Sequence, residues 1–343
     1  MSGEKKRWPF RTTIRGQRAR RFAYIWTLLA LSTLLVAASY TWFSISRRPR
    51  VSDMSMYINA PVGLELANSY NSSEWKQQLD FLDLVSSVSP LRPVTWSDAS
   101  QRFFAANYGI DGRMTDRWDA LNDTTNANSD NARGYYNKCT FYMRSDADID
   151  VSLSEATAVN RETDGSGTYV VGIPVWSEAE QEHNDGGAGA QYAIRVGIRV
   201  TPVNPETGVS IGAERFFIYE PNCDRHVLQS GEEEAKTGYI ATESIDMTPS
   251  LVSEANLIRQ TTSTWGEANP VQRRAVIYEM GEFLSDAGLF SISRDGMVRL
   301  DVYVWLEGQD VDCTNVIGHN AQIFASIQFK GDAHHGGLVD IPD

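Results

Sequence analysis

Histidine and cysteine are scarce in this chain, five and three among 343 residues, and their scarcity closes off much chemistry. His183, His226, His319, His334 and His335 are dispersed, the last two in a Gly-rich tail. No HExxH, CxxC pair, GxSxG or P-loop sequence occurs, so zinc-protease, dithiol, serine-hydrolase and phosphate-cradling chemistry have no anchor in the sequence. Cys139, Cys223 and Cys313 are too few and too scattered for a disulfide scaffold. Cations are also sparse once the N-terminus is passed. From Val51 onward 20 basic residues face 43 acidic ones, a formal net charge of −23. Phosphate backbones demand clustered Lys and Arg, so nucleic acid is not an expected partner.

Long apolar runs are equally rare, and the single one is informative. Phe22 to Phe43, FAYIWTLLALSTLLVAASYTWF, carries no charge and matches the length needed to cross a hydrocarbon layer as a helix. Eight Lys and Arg precede it, whereas Arg47, Arg48 and Arg50 follow it. The positive-inside rule then keeps residues 1–21 as a basic cytoplasmic tail, sets 22–43 in membrane lipid and places the remainder outside the cell. Ala37-Ala38-Ser39 also resembles a signal-peptidase site, and cleavage near residues 39–46 would secrete the domain. The run continues through Tyr40, Trp42 and Phe43, which favours a retained single-pass signal-anchor.

Beyond the anchor, alternation of apolar and polar residues marks strands. It is visible at Met54–Ile58 and, after Pro61-Val62-Gly63, at Leu64–Leu66, then at Cys139–Met143, Ile149–Leu153, Tyr192–Val200, Val298–Leu306 and Gln322–Lys330; Thr168–Trp176 is a continuous apolar run of strand length, and Glu214–Tyr219 and Gly238–Met247 add further strands. In the Tyr192–Val200 segment Arg195 and Arg199 fall on the face opposite the apolar residues. Glu206-Thr207-Gly208 reads as a turn. Helical spacing predicts a short helix over Ser72–Leu84, helical turns over Ser97–Asn107 and a longer helix over Val271–Ala287. Polar residues between Asp111 and Asn137 predict an exposed loop. The last two strands are expected to pair antiparallel. The fold expected is mainly β, an antiparallel, jelly-roll-like β-sandwich with a few short helices. It would span residues 44–330 with an insertion around 72–137 and end in a flexible tail, 331–343.

Two stretches carry a family resemblance. Residues 39–66, SYTWFSISRRPRVSDMSMYINAPVGLEL, and VWLEGQDVDCTN, Val304–Asn315, resemble the signal region and the C-terminal signature of TasA/camelysin-like exported surface proteins of Gram-positive bacteria. The resemblance covers about 40 residues at the two ends of the domain. It implies a jelly-roll domain attached to the cell or assembled into biofilm-matrix fibres. This chain is longer than such subunits and carries extra sequence between Ser72 and Asn137.

No catalytic or cofactor-binding residue stands out. Asp146, Asp148 and Asp150 form a D-x-D-x-D run, but Val151 and Thr157 stand where an EF-hand needs Gly and Glu, so a solvated strand face is the expected role. Asp310 and Asp312 are the better candidates for an oxygen-liganded cation, and Cys223 with Cys313, both in turn-like sequence, for a disulfide. Trp96, Trp118, Trp176 and Trp265 could stack on sugars, although core packing is the commoner fate of Trp. The function expected is binding or assembly at the cell surface, through self-association or cell-wall components and without catalysis. The alternatives are a cell-wall hydrolase or metalloprotease and an extracytoplasmic sensor or accessory subunit.

Overall fold

Alternation after Val51 builds a mainly β unit. The computed structural model describes residues 22, 24–36, 51–61, 63–85, 88, 90–97, 100–108, 114–121, 134–155, 167–173, 190–221, 236–237, 250–251, 258–263, 270–279, 282–284, 288–310, 313 and 321–333. The chain divides into units 1–46 and 47–343. In the first, residues 22 and 24–36 are helical. Among the described residues no helix is long and apolar enough to cross a membrane.

The second unit contains β1 (Val51–Asn59), β2 (Leu64–Ala67), β3 (Gln78–Asp80), β4 (Pro93–Ser97), β5 (Arg102–Tyr108), β6 (Met114–Ala120), β7 (Tyr136–Ser145), β8 (Ile149–Leu153) and β9 (Tyr169–Ile173). It continues with β10 (Ile194–Val203), β11 (Arg215–Glu220), β12 (Lys236–Thr237), β13 (Ser250–Leu251), β14 (Ile258–Ser263), β15 (Pro270–Glu279), β16 (Glu282–Phe283), β17 (Gly288–Ile292), β18 (Met297–Glu307) and β19 (Ala321–Ala333). Two helical turns, Phe81–Leu84 and Ala190–Ala193, interrupt them.

The smaller sheet runs β17-β8-β19-β1-β3, with β9 also on β19. The larger runs β14-β15-β11-β10-β18-β4-β5-β6, and β7 joins β18 to β2. Each sheet turns one apolar face to a shared core. Met54, Met56 and Ile58 of β1 and Ile323, Ala325 and Ile327 of β19 meet Phe141 and Met143 of β7, Val196 and Ile198 of β10, and Val302 and Val304 of β18. Each lies at an alternate position along its strand, as period-2 burial requires. The core is therefore sandwich-like.

The sheets are mixed, which corrects the antiparallel expectation. β1 runs parallel to β19 over Val51–Asn59, and β18 runs parallel to β4 at Leu306 and Glu307. β18 and β19 also do not pair with each other. Each has one apolar face, and both faces meet in the same core, so the strands lie in opposite sheets. The connection between them is long enough to make that crossing.

Three helix expectations give way as well. Val271–Ala287 forms β15 and β16, with Ala275 and Ile277 in the shared core and Val276 and Tyr278 in a second one. A strand buried on both faces reads as a continuous apolar run, which helical spacing mimics. Ser97–Asn107 becomes the end of β4 and most of β5. Ser72–Leu84 keeps one helical turn, Phe81–Leu84, capped by the Asp80 carboxylate accepting from Leu82 N–H. Within the expected loop 111–137 lies β6. The Gly238–Met247 strand and the 331–343 tail are outside the described residues, apart from 331–333 at the end of β19.

Candidate functional site

The outer face of the larger sheet, turned away from the shared core, holds the charged and aromatic residues of β7, β18 and β10 in transverse rows. Pairing of β18 with β7 sets Met297 beside Arg144, Arg299 beside Tyr142, Asp301 beside Thr140, Tyr303 beside Lys138 and Trp305 beside Tyr136. On its other edge β10 offers Val203, Thr201, Arg199, Gly197 and Arg195 to the same residues. One continuous face thus runs from Arg144 to Arg195.

The Arg195 end is roofed. β4 and β5 fold back so that Val94, Trp96, Phe103 and Ala105 pack on Tyr136, Tyr303, Trp305, Phe216 and Ile218. Trp96 and Phe216 have ring centroids 4.3 Å apart, and Phe103 stacks on Tyr136 at 4.6 Å. Gly197 admits this packing because a Cβ there would lie 2.5 Å from Phe216 Cζ and 3.0 Å from Trp305 Cζ3. Arg199 closes the margin, its guanidinium 5.3 Å from the Tyr303 ring centre and 5.7 Å from that of Trp96.

Beneath the roof Arg195, on the face opposite the apolar residues as the alternation predicts, is fully buried. Its Nη2 donates to Asp310 Oδ2 and lies 2.8 Å from Glu220 Oε1, and Nη1 donates to Ile194 O at 3.0 Å. Burial alone would weaken its hold on the proton, but Glu220 and Asp310 reverse that and push its pKa up. Glu307 is buried beside it. Trp305 Nε1–H donates to Oε2 at 2.9 Å and Gln309 N–H to Oε1 at 3.1 Å. Desolvation still dominates the pull of Arg195 and these donors, so the Glu307 pKa rises to about 7. Burial likewise raises that of Tyr278. Cys139, on the opposite face, is a buried strand residue, as its alternation predicted, and desolvation raises its thiol pKa.

Asp310, one of the two candidate cation ligands, is therefore held as a counter-ion of Arg195 and is 5% exposed. Asp312 lies outside the described residues, as does Cys223 of the expected Cys223–Cys313 pair. Cys313 packs at the rim of the shared core, and its N–H donates to Asp310 O at 3.0 Å. Of the Trp-Leu-Glu-Gly-Gln-Asp run, Trp305–Glu307 end β18 and Gly308–Asp310 turn away from it. Gly308 N–H ties it to Val94 O at 2.8 Å and Asp310 N–H to Glu307 O at 3.3 Å.

The Arg144 end of the face is open. A groove of about 660 Å³ runs past Glu65, Tyr70, Asn71, Trp75, Gln77, Arg144, Asp146 and Asp295, a size in the range of ligand clefts. β2 brings Glu65 opposite Arg144, whose Nη2 lies 2.6 Å from Glu65 Oε2. The guanidinium covers the Trp75 ring at 4.1 Å, and Trp75 Nε1–H donates to Ser72 O at 3.0 Å, fixing the indole. Tyr70 stands edge-on to Tyr142 with centroids 6.1 Å apart. The predicted turn at 206–208 forms with Asn204 Oδ1 accepting from Glu206 and Thr207 N–H, and Gly208, at φ +67°, lets it lie against Tyr70. A smaller cavity of about 280 Å³ beside Ile211, Ile292 and Arg294 shares Pro205, Asp295 and Met297 with the groove.

The D-x-D-x-D run does not stay on one strand face. Asp146 and Asp148 sit in the bend before β8, Asp148 accepts from Arg294 N–H at 2.8 Å, and Asp150 accepts from Ser291 Oγ at 2.7 Å. Among the described residues no group of three or more His, Cys, Asp or Glu could hold a metal ion. All five histidines lie outside the described residues. Of the tryptophans considered for sugar stacking, Trp96 is fully buried, and the Trp118 side chain, Trp176 and Trp265 fall outside the description.

Sequence reading missed Trp75 as a site residue because it shares helical spacing with Leu79 and Leu82. Its polar setting, Asn-Ser-Ser-Glu-Trp-Lys, was the available sign that it lies in a surface segment. No family model, curated protein or solved structure matches the chain. Fold and site together define a mainly β unit with a buried ionic cluster at one end of a sheet face and an open aromatic and polar groove at the other.

Proposed function

We propose that the chain is a single-pass surface protein, anchored by residues 22–43, whose β unit lies outside the cell and acts by binding or assembly. One observation carries the anchor. The helix over 22 and 24–36 is apolar all round, with Phe22, Tyr24, Leu28, Leu31, Leu34 and Leu35 each more than 60% exposed, and a helix of that composition belongs in lipid or in a protein core. The open groove supports the binding half of the reading.

The TasA/camelysin resemblance supports a jelly-roll-type sandwich and an assembled form, but it needs refining. β1 is paired within its own sheet, between β19 and β3, so assembly in which copies pair through this strand would require exchange of β1 between them. The 304–315 signature is explained in large part by the buried turn around Arg195.

The test is the N-terminal residue and intact mass of protein recovered from its own cells. A membrane-bound full-length chain is the expected result. A soluble chain beginning between Ser39 and Ser46 would discard the anchor and favour a released fibre subunit. A full-length soluble chain would defeat both.

A further inference from the structure

We propose that the groove at the Arg144 end is a saccharide-binding site, selective for glycans with free amino-sugar units. The inference rests on the reading of the β unit as a binder and specifies what it binds. Sugar rings have an apolar C–H face and a polar rim, so their sites combine a fixed aromatic plane with hydrogen-bonding groups around it. Trp75 supplies the plane. It is half-buried, its indole N–H is held by Ser72 O, and Arg144 braces it at 4.1 Å. Tyr70 and the amides of Asn71 and Gln77 line the same groove.

Charge selects among glycans. Glu65 neutralises Arg144 across a 2.6 Å ion pair, which leaves Asp146 and Asp295 as the uncompensated charges among the described residues of the groove. Both are exposed, and Asp295 N–H donates to Ser145 O at 3.0 Å, so their backbones meet at one edge of the cleft. Two carboxylates beside an aromatic plane attract an ammonium group and repel sulfated, phosphorylated or uronic polymers. The strongly acidic composition of the whole unit adds to that bias.

The test uses full-length protein in detergent and isothermal titration with a glucosamine hexamer, its fully N-acetylated counterpart, polygalacturonate and hexalysine. Binding of the glucosamine hexamer is expected, weakened about tenfold by Trp75→Ala and by the double variant Asp146→Asn, Asp295→Asn, a loss of about 1.4 kcal/mol. The N-acetylated hexamer should bind more weakly and polygalacturonate not at all. No binding of any sugar, tight binding of the polyanion, or glucosamine binding insensitive to the double variant would overturn the proposal. Hexalysine binding as tightly with the same variant sensitivity would make this a general cation site and overturn it too. The conservative double variant covers the case in which Trp75→Ala fails to fold. An inert groove on a chain recovered full-length in the membrane would refute this inference alone.

Discussion

Arg195 and Arg144 occupy opposite ends of one sheet face, and the same alternation put both on it. Arg195 is 0% exposed and held by Glu220 and Asp310; the Arg144 side chain is 43% exposed and held by Glu65. The difference is the roof. Where β4 and β5 cover the face, a charged residue becomes part of the fold, because a buried guanidinium without carboxylates is prohibitively costly. Where they do not cover it, the same residue type lines a groove, paired with Glu65 and bracing Trp75.

The comparison breaks most sharply at Arg195. Replacing it with Ala leaves two carboxylates in a dry site, and a loss of about 3–5 kcal/mol in urea unfolding is expected. Gly197→Ala attacks the roof instead. It drives a methyl into Phe216 and Trp305 and should cost about 1–3 kcal/mol by the same measurement, with Arg144 and the groove unaffected.

Glu307 gives the closed end a pH signature. Its pKa is raised from 4.5 unfolded to about 7 folded, so between those values the native state keeps a proton that the unfolded chain has released. Its contribution to stability is therefore full below about pH 4.5, declines as pH rises and is gone above about 7, at up to roughly 1.4 kcal/mol per pH unit. Glu307→Gln should flatten that segment of a stability-versus-pH profile; an unchanged slope would place its source elsewhere. The smallest effect belongs to the open end, where Glu65→Gln breaks an exposed pair and should change stability by less than about 1 kcal/mol.

How much of this was legible follows the same division. The shared core was, since Val196, Ile198, Val302, Val304, Ile323 and Ile327 bury on the faces that alternation assigned them. The outer face was not. Arg195 and Arg199 look alike in sequence, and only β4 and β5, about a hundred residues earlier in the chain, decide that one is roofed and the other marginal. Asp310 was singled out for the right local reason, a carboxylate in a turn, but its partner on β10 is remote in sequence. Trp75 and Arg144 are likewise brought together by strand pairing between β2 and β7, which no short-range pattern encodes.

The most direct measurement is a paired urea unfolding of Asp310→Asn and Asp146→Asn in the full-length protein in one detergent, with and without calcium. Asp310→Asn is expected to lose at least about 2 kcal/mol by breaking a buried charged pair, Asp146→Asn less than about 0.5, and neither difference should depend on calcium. Equal small losses, or a calcium-dependent stabilisation abolished by Asp310→Asn, would contradict the division of this face into a buried ionic cluster and an open site.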